Sequence, residues 1–565
     1  MTNDNTIKKT KRIGIIGAGP AGLTSAKQGL AQGFDVIVYE KQSHLGGIWN
    51  KFGKGAYQSV RMQSSKLSFH FSDYPPKNSI SDFPTRNEVY DYLVSYADHF
   101  NISTNIRYNT AVIQVEKKAG CWHMTSESID NKKHTTEIFD IVMVASGELW
   151  DPNLPKDFSI TSTKKTPTKE TSVEEILVEE KPVKEKPVKE KRTGYRTAKE
   201  YNTPEEFKGK RVLVVGGGVS GADIAAELSN HATVDWSIRT PRLFLPRIIG
   251  SAYNDELFSY IGRIASQEML YEDFLAYLDK HIPDYMAIYR QSGLLPSHTI
   301  NNAIHVNDRI VPAVASGAIT MRPPFAKITD IGVQFAHSKE ENTKKGDNKE
   351  DDKNSIQTYD DVIFCTGYAL PDYSFIKEFD ATDLYEHFIY RKDPTLAVIN
   401  TPIRTEAFGT ACPYFEMIAH YALETALGYL PLPNDESMKQ WCDENLKTKK
   451  PRCYYDCWLE TIRLGLMANV IPHPTDDFKS YWNIVSQSVS PSFLQLNSAP
   501  SKKPSVIDKG VSLSQLQLRL LKSFSISELA NLLEKNHIEQ DILDNLPSCL
   551  QSAINPQLLY EKPPL

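Results

Sequence analysis

Two short glycine runs carry the chemistry that can be read from this chain. Gly17-Ala18-Gly19-Pro20-Ala21-Gly22 follows an apolar run at 13–16 and precedes Leu23, Ala26 and Leu30 at helical spacing. A GxGxxG between a strand and a helix is a dinucleotide-binding turn. Its first glycine permits the tight turn, its second lets the backbone approach a pyrophosphate, and its third lets the helix pack close to the strand. The helix N-terminus then faces the phosphates, where exposed N–H groups and the helix dipole favour negative charge. The next apolar run, 36–39, ends in Glu40, where a carboxylate accepts hydrogen bonds from a ribose. Strand, glycines, helix, strand and acid agree here, as they would not in a chance Gly-rich turn. Soon after comes Gly46-Gly47-Ile48-Trp49. Paired glycines let backbone run against a flat ligand, and Trp49 offers a stacking face. The bland alternative is a plain turn with a core tryptophan.

Gly216-Gly217-Gly218-Val219-Ser220-Gly221 repeats the arrangement after the apolar run 211–215, with Gly216, Gly218 and Gly221 in the three roles and a helix expected over 222–229. The following run, 234–238, ends in Arg239, at the same offset from Gly221 as Glu40 has from Gly22. A carboxylate would repel a 2′-phosphate, whereas a guanidinium binds one through charge-assisted hydrogen bonds. Arg239, assisted by Ser237, Thr240 and Arg242, therefore points to NADPH at this second site. The bland reading of Arg239 is a solvated loop charge. Side chains do not supply hydride chemistry, so two dinucleotide folds imply electron transfer between two cofactors. FAD at the first site and NADPH at the second make a simple circuit.

The surrounding chain of 565 residues is 40% hydrophobic and 24% charged, an ordinary balance for a globular protein. Strand-like and helix-like runs alternate, which predicts an α/β fold with two Rossmann-like dinucleotide-binding domains. A formal net charge of -6 provides no field for nucleic acid. The seven cysteines are irregularly spaced and include no CxxC pair, so neither a disulfide framework nor a dithiol redox centre is expected. Cys453 and Cys457 have no partner cluster, so no metal site is expected. Residues 1–11 lack an apolar signal core, and no run approaches the roughly 20 apolar residues of a membrane span. A cytoplasmic setting without a membrane span is the expectation. Residues 161–191, with Pro-Val-Lys-Glu-Lys in tandem, and residues 338–357 read as solvated charged tracts. From about residue 508, Leu516, Leu520, Ile526, Leu529, Leu532 and Leu533 recur at helical spacing, with Ser525 and Glu528 forming a capping-box pattern. This predicts a small helical C-terminal appendix that could support a homo-oligomer.

Shorter motifs narrow the reading. Val142-Met143-Val144-Ala145-Ser146-Gly147 precedes Asp151-Pro152-Asn153-Leu154-Pro155. Asp361-Val362-Ile363-Phe364-Cys365-Thr366-Gly367-Tyr368 follows the second fingerprint, while Ser72-Asp73-Tyr74-Pro75-Pro76 and Phe83-Pro84-Thr85-Arg86 follow the first. With both fingerprints and the Gly46-Gly47-x-Trp49 turn, these resemble the flavin-containing monooxygenase family over roughly residues 11–433. Arg61-Met62-Gln63-Ser64-Ser65-Lys66 and Phe71-Ser72-Asp73 are most similar to its plant-type and microbial branches.

The resemblance implies a split FAD domain, with its first half at 11–155 and its second at 331–440. A charged linker at 156–200 and an NADPH domain at 201–330 lie between them, and a mostly helical extension fills 441–565. On FAD it implies Gly17, Ala18, Gly19, Pro20, Ala21, Gly22, Glu40, Lys41, Gly47, Ile48, Trp49, Val112, Ser146, Gly147, Thr366 and Gly367. On NADPH it implies Gly216, Gly217, Gly218, Val219, Ser220, Gly221, Ser237 and Arg239, with Gln63 positioning flavin and nicotinamide. The implied chemistry, of the N,N-dimethylaniline monooxygenase class, runs from NADPH through FAD to a C4a-hydroperoxyflavin. That species gives one oxygen atom of O2 to a soft nucleophile, an amine or sulfur compound. Such an enzyme mainly excludes water and holds NADP⁺ in place, which fits the lack of a Ser/His/Asp or paired-carboxylate constellation. The chain departs from the family pattern at Gln63 and Val219, where Asn is common, and at Thr197, where the family carries His. Alternatives are Baeyer–Villiger oxygenation of a ketone, an uncoupled NADPH oxidase releasing hydrogen peroxide, and a non-catalytic, cofactor-binding interaction protein.

Overall fold

The structure is a computed structural model describing residues 10–155, 193–249, 252–255, 271–297, 304–329, 332–336, 356–402, 406–408, 411–447, 454–472, 477–485 and 490–494. The charged tract at 161–191 and the expected helical appendix from residue 508, with its Ser525/Glu528 cap, lie outside the described residues, as does nearly all of the 338–357 tract. The elements that matter here, numbered in chain order, are β1 (Arg12–Ile16), α1 (Pro20–Ala31), β2 (Asp35–Tyr39), α2 (Arg86–His99), β3 (Ile141–Val144), β4 (Arg211–Val215), α3 (Val219–Leu228), β5 (Thr233–Ser237), β6 (Ile319–Arg322), β7 (Asp361–Phe364), β8 (Leu396–Val398) and α4 (Ala411–Ala426).

The chain forms two compact α/β units. The first comprises the described residues within 10–151, 241–315 and 368–494, the second those within 152–240 and 316–367. In the first, a seven-stranded sheet runs in the order Leu384–Tyr385, Ile389–Tyr390, β8, β3, β1, β2, Ile106–Arg107. β1 is parallel to both neighbours, and β3 is parallel to β8. In the second, five parallel strands run β6, β5, β4, β7, Gly194–Thr197. The apolar runs are near-continuous because parallel strands are covered on both faces. Ile13, Ile15, Val38, Val212 and Val214 are all fully buried.

Two boundaries differ from the expectation. Residues 331–367 were expected in the second half of the FAD domain, but β7 pairs with β4 from Asp361↔Val212 to Phe364↔Val215, and the described residues of this stretch group with the second unit. The described residues of 241–315 were expected with the NADPH domain and instead group with the first unit. There, Asp255 accepts a hydrogen bond from the Ser65 N–H at 2.6 Å, and Arg247 donates to the Met62 carbonyl at 3.1 Å. These side chains fix the loop that carries Gln63.

Helix α1 is anchored from behind by α4, which supplies Glu416 and Glu424. Gln32, just past the end of α1, donates to Glu424 at 2.8 Å. Lys27 of α1 pairs with Asp73 at 2.5 Å, with both side chains almost wholly buried. Glu416 is fully buried and accepts from the Ser72 N–H at 2.8 Å and the Ser72 hydroxyl at 3.0 Å. The Phe71-Ser72-Asp73 motif thus ties α4 to the helix of the first fingerprint. Tyr414 and Tyr421 of α4 are buried in the apolar core.

Candidate dinucleotide sites

The two glycine turns have the same backbone build. Gly17 adopts φ +104° and its N–H donates to the Tyr39 carbonyl at 2.8 Å; Gly216 adopts φ +127° and donates to the Ser237 carbonyl at 2.9 Å. A Cβ at Gly17 would lie 2.3 Å from the Ala145 carbonyl oxygen, and one at Gly216 would lie 2.2 Å from that of Cys365. Those contacts add a steric bar to the positive φ that only glycine adopts freely. At the third glycine, a Cβ on Gly22 would meet the Gly17 oxygen at 1.8 Å and one on Gly221 the Gly216 oxygen at 2.0 Å. Helix and strand can therefore approach this closely only without a side chain. Gly19 and Gly218 are the N-caps of α1 and α3, and neither helix has a side-chain cap. The leading N–H groups are left for an external anion, as a pyrophosphate requires.

The surroundings then diverge. At the first turn, Gly46 donates to the Ala18 carbonyl at 2.8 Å, and Gly47, at φ +59°, brings its backbone against Gly19, where an added Cβ would meet the Gly19 Cα at 3.2 Å. Ile48 and Trp49 follow in a short 3₁₀ turn, with Trp49 packed on the core. Glu40 is buried; one carboxylate oxygen accepts from the Ala18 N–H and the other from the Gln42 N–H, both at 2.8 Å. Burial raises its pKa, and these backbone donors oppose the rise. Each oxygen retains a lone pair for a ribose hydroxyl. The strand Thr110–Lys118 begins beside this acid, with the Thr110 N–H donating to the Glu40 carbonyl at 2.9 Å, which brings Val112 to the same edge. Ser146 and Gly147 follow β3, and the Gly147 N–H donates to Asn400 at 3.1 Å. Lys41, exposed, stands over the Trp150 ring.

At the second turn, Val219 is exposed at the start of α3. Ser237 is buried and its hydroxyl donates to the Pro323 carbonyl at 2.7 Å, so its side chain braces the sheet edge. Arg239 is exposed, and its guanidinium has no hydrogen bond or ion pair among the described residues. Below it, Asp235 accepts from Arg211 at 3.0 Å, Arg322 at 2.9 Å and Tyr359 at 2.7 Å, which pins β5 to its neighbours.

Thr366 and Gly367, assigned to the flavin from the sequence, follow β7 beside the second turn, in the position that Ser146 and Gly147 hold at the first. The Thr366 hydroxyl donates to the Asn153 carbonyl, and the Gly367 carbonyl accepts from the Asn153 N–H at 2.9 Å. Cys365 behaves as a core residue, its thiol pushed up to about 12 by burial. Gln63 is half-buried, with its amide unengaged among the described residues. Burial lowers the pKa of His70 and lowers that of His420 to about 4, with Lys27 adding to the latter. Sequence reasoning missed Asn400 and Trp150, which flank Gly147, because neither belongs to a spaced motif.

Two glycine turns of this build, one beside a buried acid and one below an exposed arginine, define a two-dinucleotide oxidoreductase. The description Flavin-binding monooxygenase-like matches residues 10–165 and 177–470. The chain belongs to this family, and its cofactors are FAD and NADPH. It is 28% identical over 454 residues to flavin-containing monooxygenase 5 of Homo sapiens, covering 76% of this chain and 75% of the relative. It is 28% identical over 472 residues to flavin-containing monooxygenase 3 of Oryctolagus cuniculus, covering 78% of each. Among solved structures, a cyclohexanone monooxygenase shares the fold with TM-score 0.56 at 15% identity, covering 83% of this chain and 99% of that one. A steroid monooxygenase bound to NADP does so with TM-score 0.56 at 14% identity, covering 82% and 97%. No helix among the described residues is long and apolar enough to cross a membrane.

Proposed function

We propose that the enzyme transfers one oxygen atom of O2 to a soft nucleophile, an amine nitrogen or a sulfur. The observation that carries this reading is the pair of matching glycine turns with opposite charge at the end of the next strand: Glu40 after β2 and Arg239 after β5. FAD, when bound, accepts a hydride from NADPH and activates oxygen. The residues' own work is binding and placement. The N-terminus of α1 holds the FAD pyrophosphate, Glu40 the ribose, and the Gly46–Gly47 backbone the adjoining face. Gly216 to Gly221 hold the NADPH pyrophosphate, and Arg239 the 2′-phosphate. The unengaged amide of Gln63 supplies a donor and an acceptor for flavin or nicotinamide.

Product analysis under ¹⁸O2 with NADPH tests the reaction. The expected result is one labelled oxygen in the N-oxide of a tertiary amine or in the sulfoxide of a thioether, with matching NADPH consumption. Ester formation from a ketone would establish Baeyer–Villiger chemistry instead, and hydrogen peroxide equal to NADPH consumed would establish an oxidase. A protein that consumes no NADPH with any substrate would be a binding protein. The Arg239 assignment has its own expected result. Arg239→Ala loses charge-assisted bonds of about 1.5–3 kcal/mol, so KM for NADPH rises roughly 10–100-fold while KM for NADH stays put. Equal shifts for both coenzymes would remove Arg239 from the 2′-phosphate site.

A further inference from the structure

Trp150 belongs to neither fingerprint, yet it stands where both flanks of the first turn meet. Its indole N–H donates to the Ser146 carbonyl at 3.1 Å. The Nε1 edge of its ring lies against Gly147, where an added Cβ would come within 3.2 Å of the indole nitrogen. The Lys41 ammonium sits 5.2 Å from the ring centroid, a cation–π arrangement that orients the ring. Ser146 and Gly147 follow β3; Lys41 follows Glu40 at the end of β2. In the sheet, β3 and β2 are the two neighbours of β1, which feeds the glycine turn. Trp150 therefore reaches from the tail of one flanking strand to the tail of the other, along the carboxyl edge where a dinucleotide lies. It is half-buried.

The acid after the second strand marks the ribose, so the adenosine half of the cofactor is the part beside Glu40 and Lys41. We propose that Trp150 is the adenosine wall of the FAD site: the Ser146 carbonyl and Lys41 fix its indole, whose face packs on the adenine and favours FAD over flavins that lack adenosine. This rests on the FAD reading of the first turn. Base–aromatic stacking lost on truncation corresponds to roughly a 10–100-fold loss in affinity.

The test uses full-length protein stripped of flavin and titrated with FAD and, separately, with FMN, which has the ring system and a phosphate but no adenosine. Quenching of flavin and tryptophan fluorescence is the readout. Trp150→Leu keeps bulk without a π-face, and Trp150→Phe keeps an aromatic face. The expected result is FAD affinity about 10–100-fold weaker in W150L, largely retained in W150F, with FMN affinity the same in all three proteins. Equal loss of FAD and FMN affinity in W150L would make Trp150 a structural residue, and no loss of either would place the adenosine elsewhere; each overturns the proposal. A wild-type protein that takes up no FAD would overturn the FAD reading itself, and the wall with it.

Discussion

Gly221→Ala is expected to purify yellow and yet fail to be reduced by NADPH. The added methyl would stand 2.0 Å from the Gly216 carbonyl oxygen and 3.4 Å from the Cys365 Cβ. The nearest obstacle is backbone, so α3 must move off β4 and carry its N-terminal N–H groups away from the pyrophosphate. Overpacking of this kind costs about 1–3 kcal/mol or more, and the misplaced phosphate adds to it. Flavin reduction by NADPH should slow by about 100-fold or more, while dithionite still reduces the flavin at once. Gly22→Ala is the mirror experiment. Its methyl would lie 1.8 Å from the Gly17 oxygen and 3.6 Å from the Ala145 Cβ, and the protein should purify without flavin. Absorbance spectra and anaerobic stopped-flow reduction read both results. If G22A kept its flavin and G221A lost it, the cofactor assignments would be reversed.

The second large effect lies behind α1. Lys27 and Asp73 form a buried pair at 2.5 Å, and Lys27→Met strands the carboxylate. Breaking one side of a buried pair costs about 3–5 kcal/mol, a large share of a domain's stability. The Lys27→Met/Asp73→Asn double variant should recover much of that loss, as denaturant unfolding of the holoprotein would show. Glu416 adds a pH dependence. Burial, then the Asp73 charge, pushes its carboxyl up to about 7, while Ser72 and Lys27 pull the other way; Tyr92, Tyr96 and Cys412 also face it. Because the folded pKa is raised, stability from the neutral acid is fully present below about pH 4.5 and is lost as pH rises to about 7. Gln at 416 imitates the protonated form, with its carbonyl accepting from the Ser72 N–H and its NH2 donating to the Ser72 hydroxyl. Glu416→Gln should therefore gain little at pH 5 and on the order of 3 kcal/mol at pH 8. A gain independent of pH would show that Glu416 is ionised throughout.

The parts legible in the sequence were those governed by local rules. The GxGxxG spacing fixes a turn that only glycine can make, so the strands, helices and clashes at Gly17, Gly22, Gly216 and Gly221 follow from residue type alone. Glu40 and Arg239 were readable because each ends the strand after its glycine turn. What was not legible depends on which strands become neighbours. The strand before Thr366 and Gly367 is an example: β7 joins β4 in the second sheet, a pairing across many intervening residues. Ser237, assigned to the NADPH site by its place at the end of β5, donates its hydroxyl to Pro323, which follows the neighbouring strand β6 and is 86 residues away in the chain. The Lys27–Asp73–Glu416 cluster and the Trp150 bridge join segments distant in the chain, so no spacing rule could have revealed them.

The measurement closest to the central claim is reoxidation of the NADPH-reduced enzyme by oxygen in a stopped-flow spectrometer. The protein is reduced anaerobically with NADPH, mixed with oxygenated buffer without substrate, and followed from the near ultraviolet to the visible. A near-ultraviolet band that persists before oxidised flavin returns, and that collapses on adding a tertiary amine or thioether, is the expected result. Immediate return of oxidised flavin, with hydrogen peroxide equal to the flavin reoxidised, would contradict it. Gln63 and Val219 would then mark a site that cannot protect the oxygenated flavin, and the enzyme would be an oxidase.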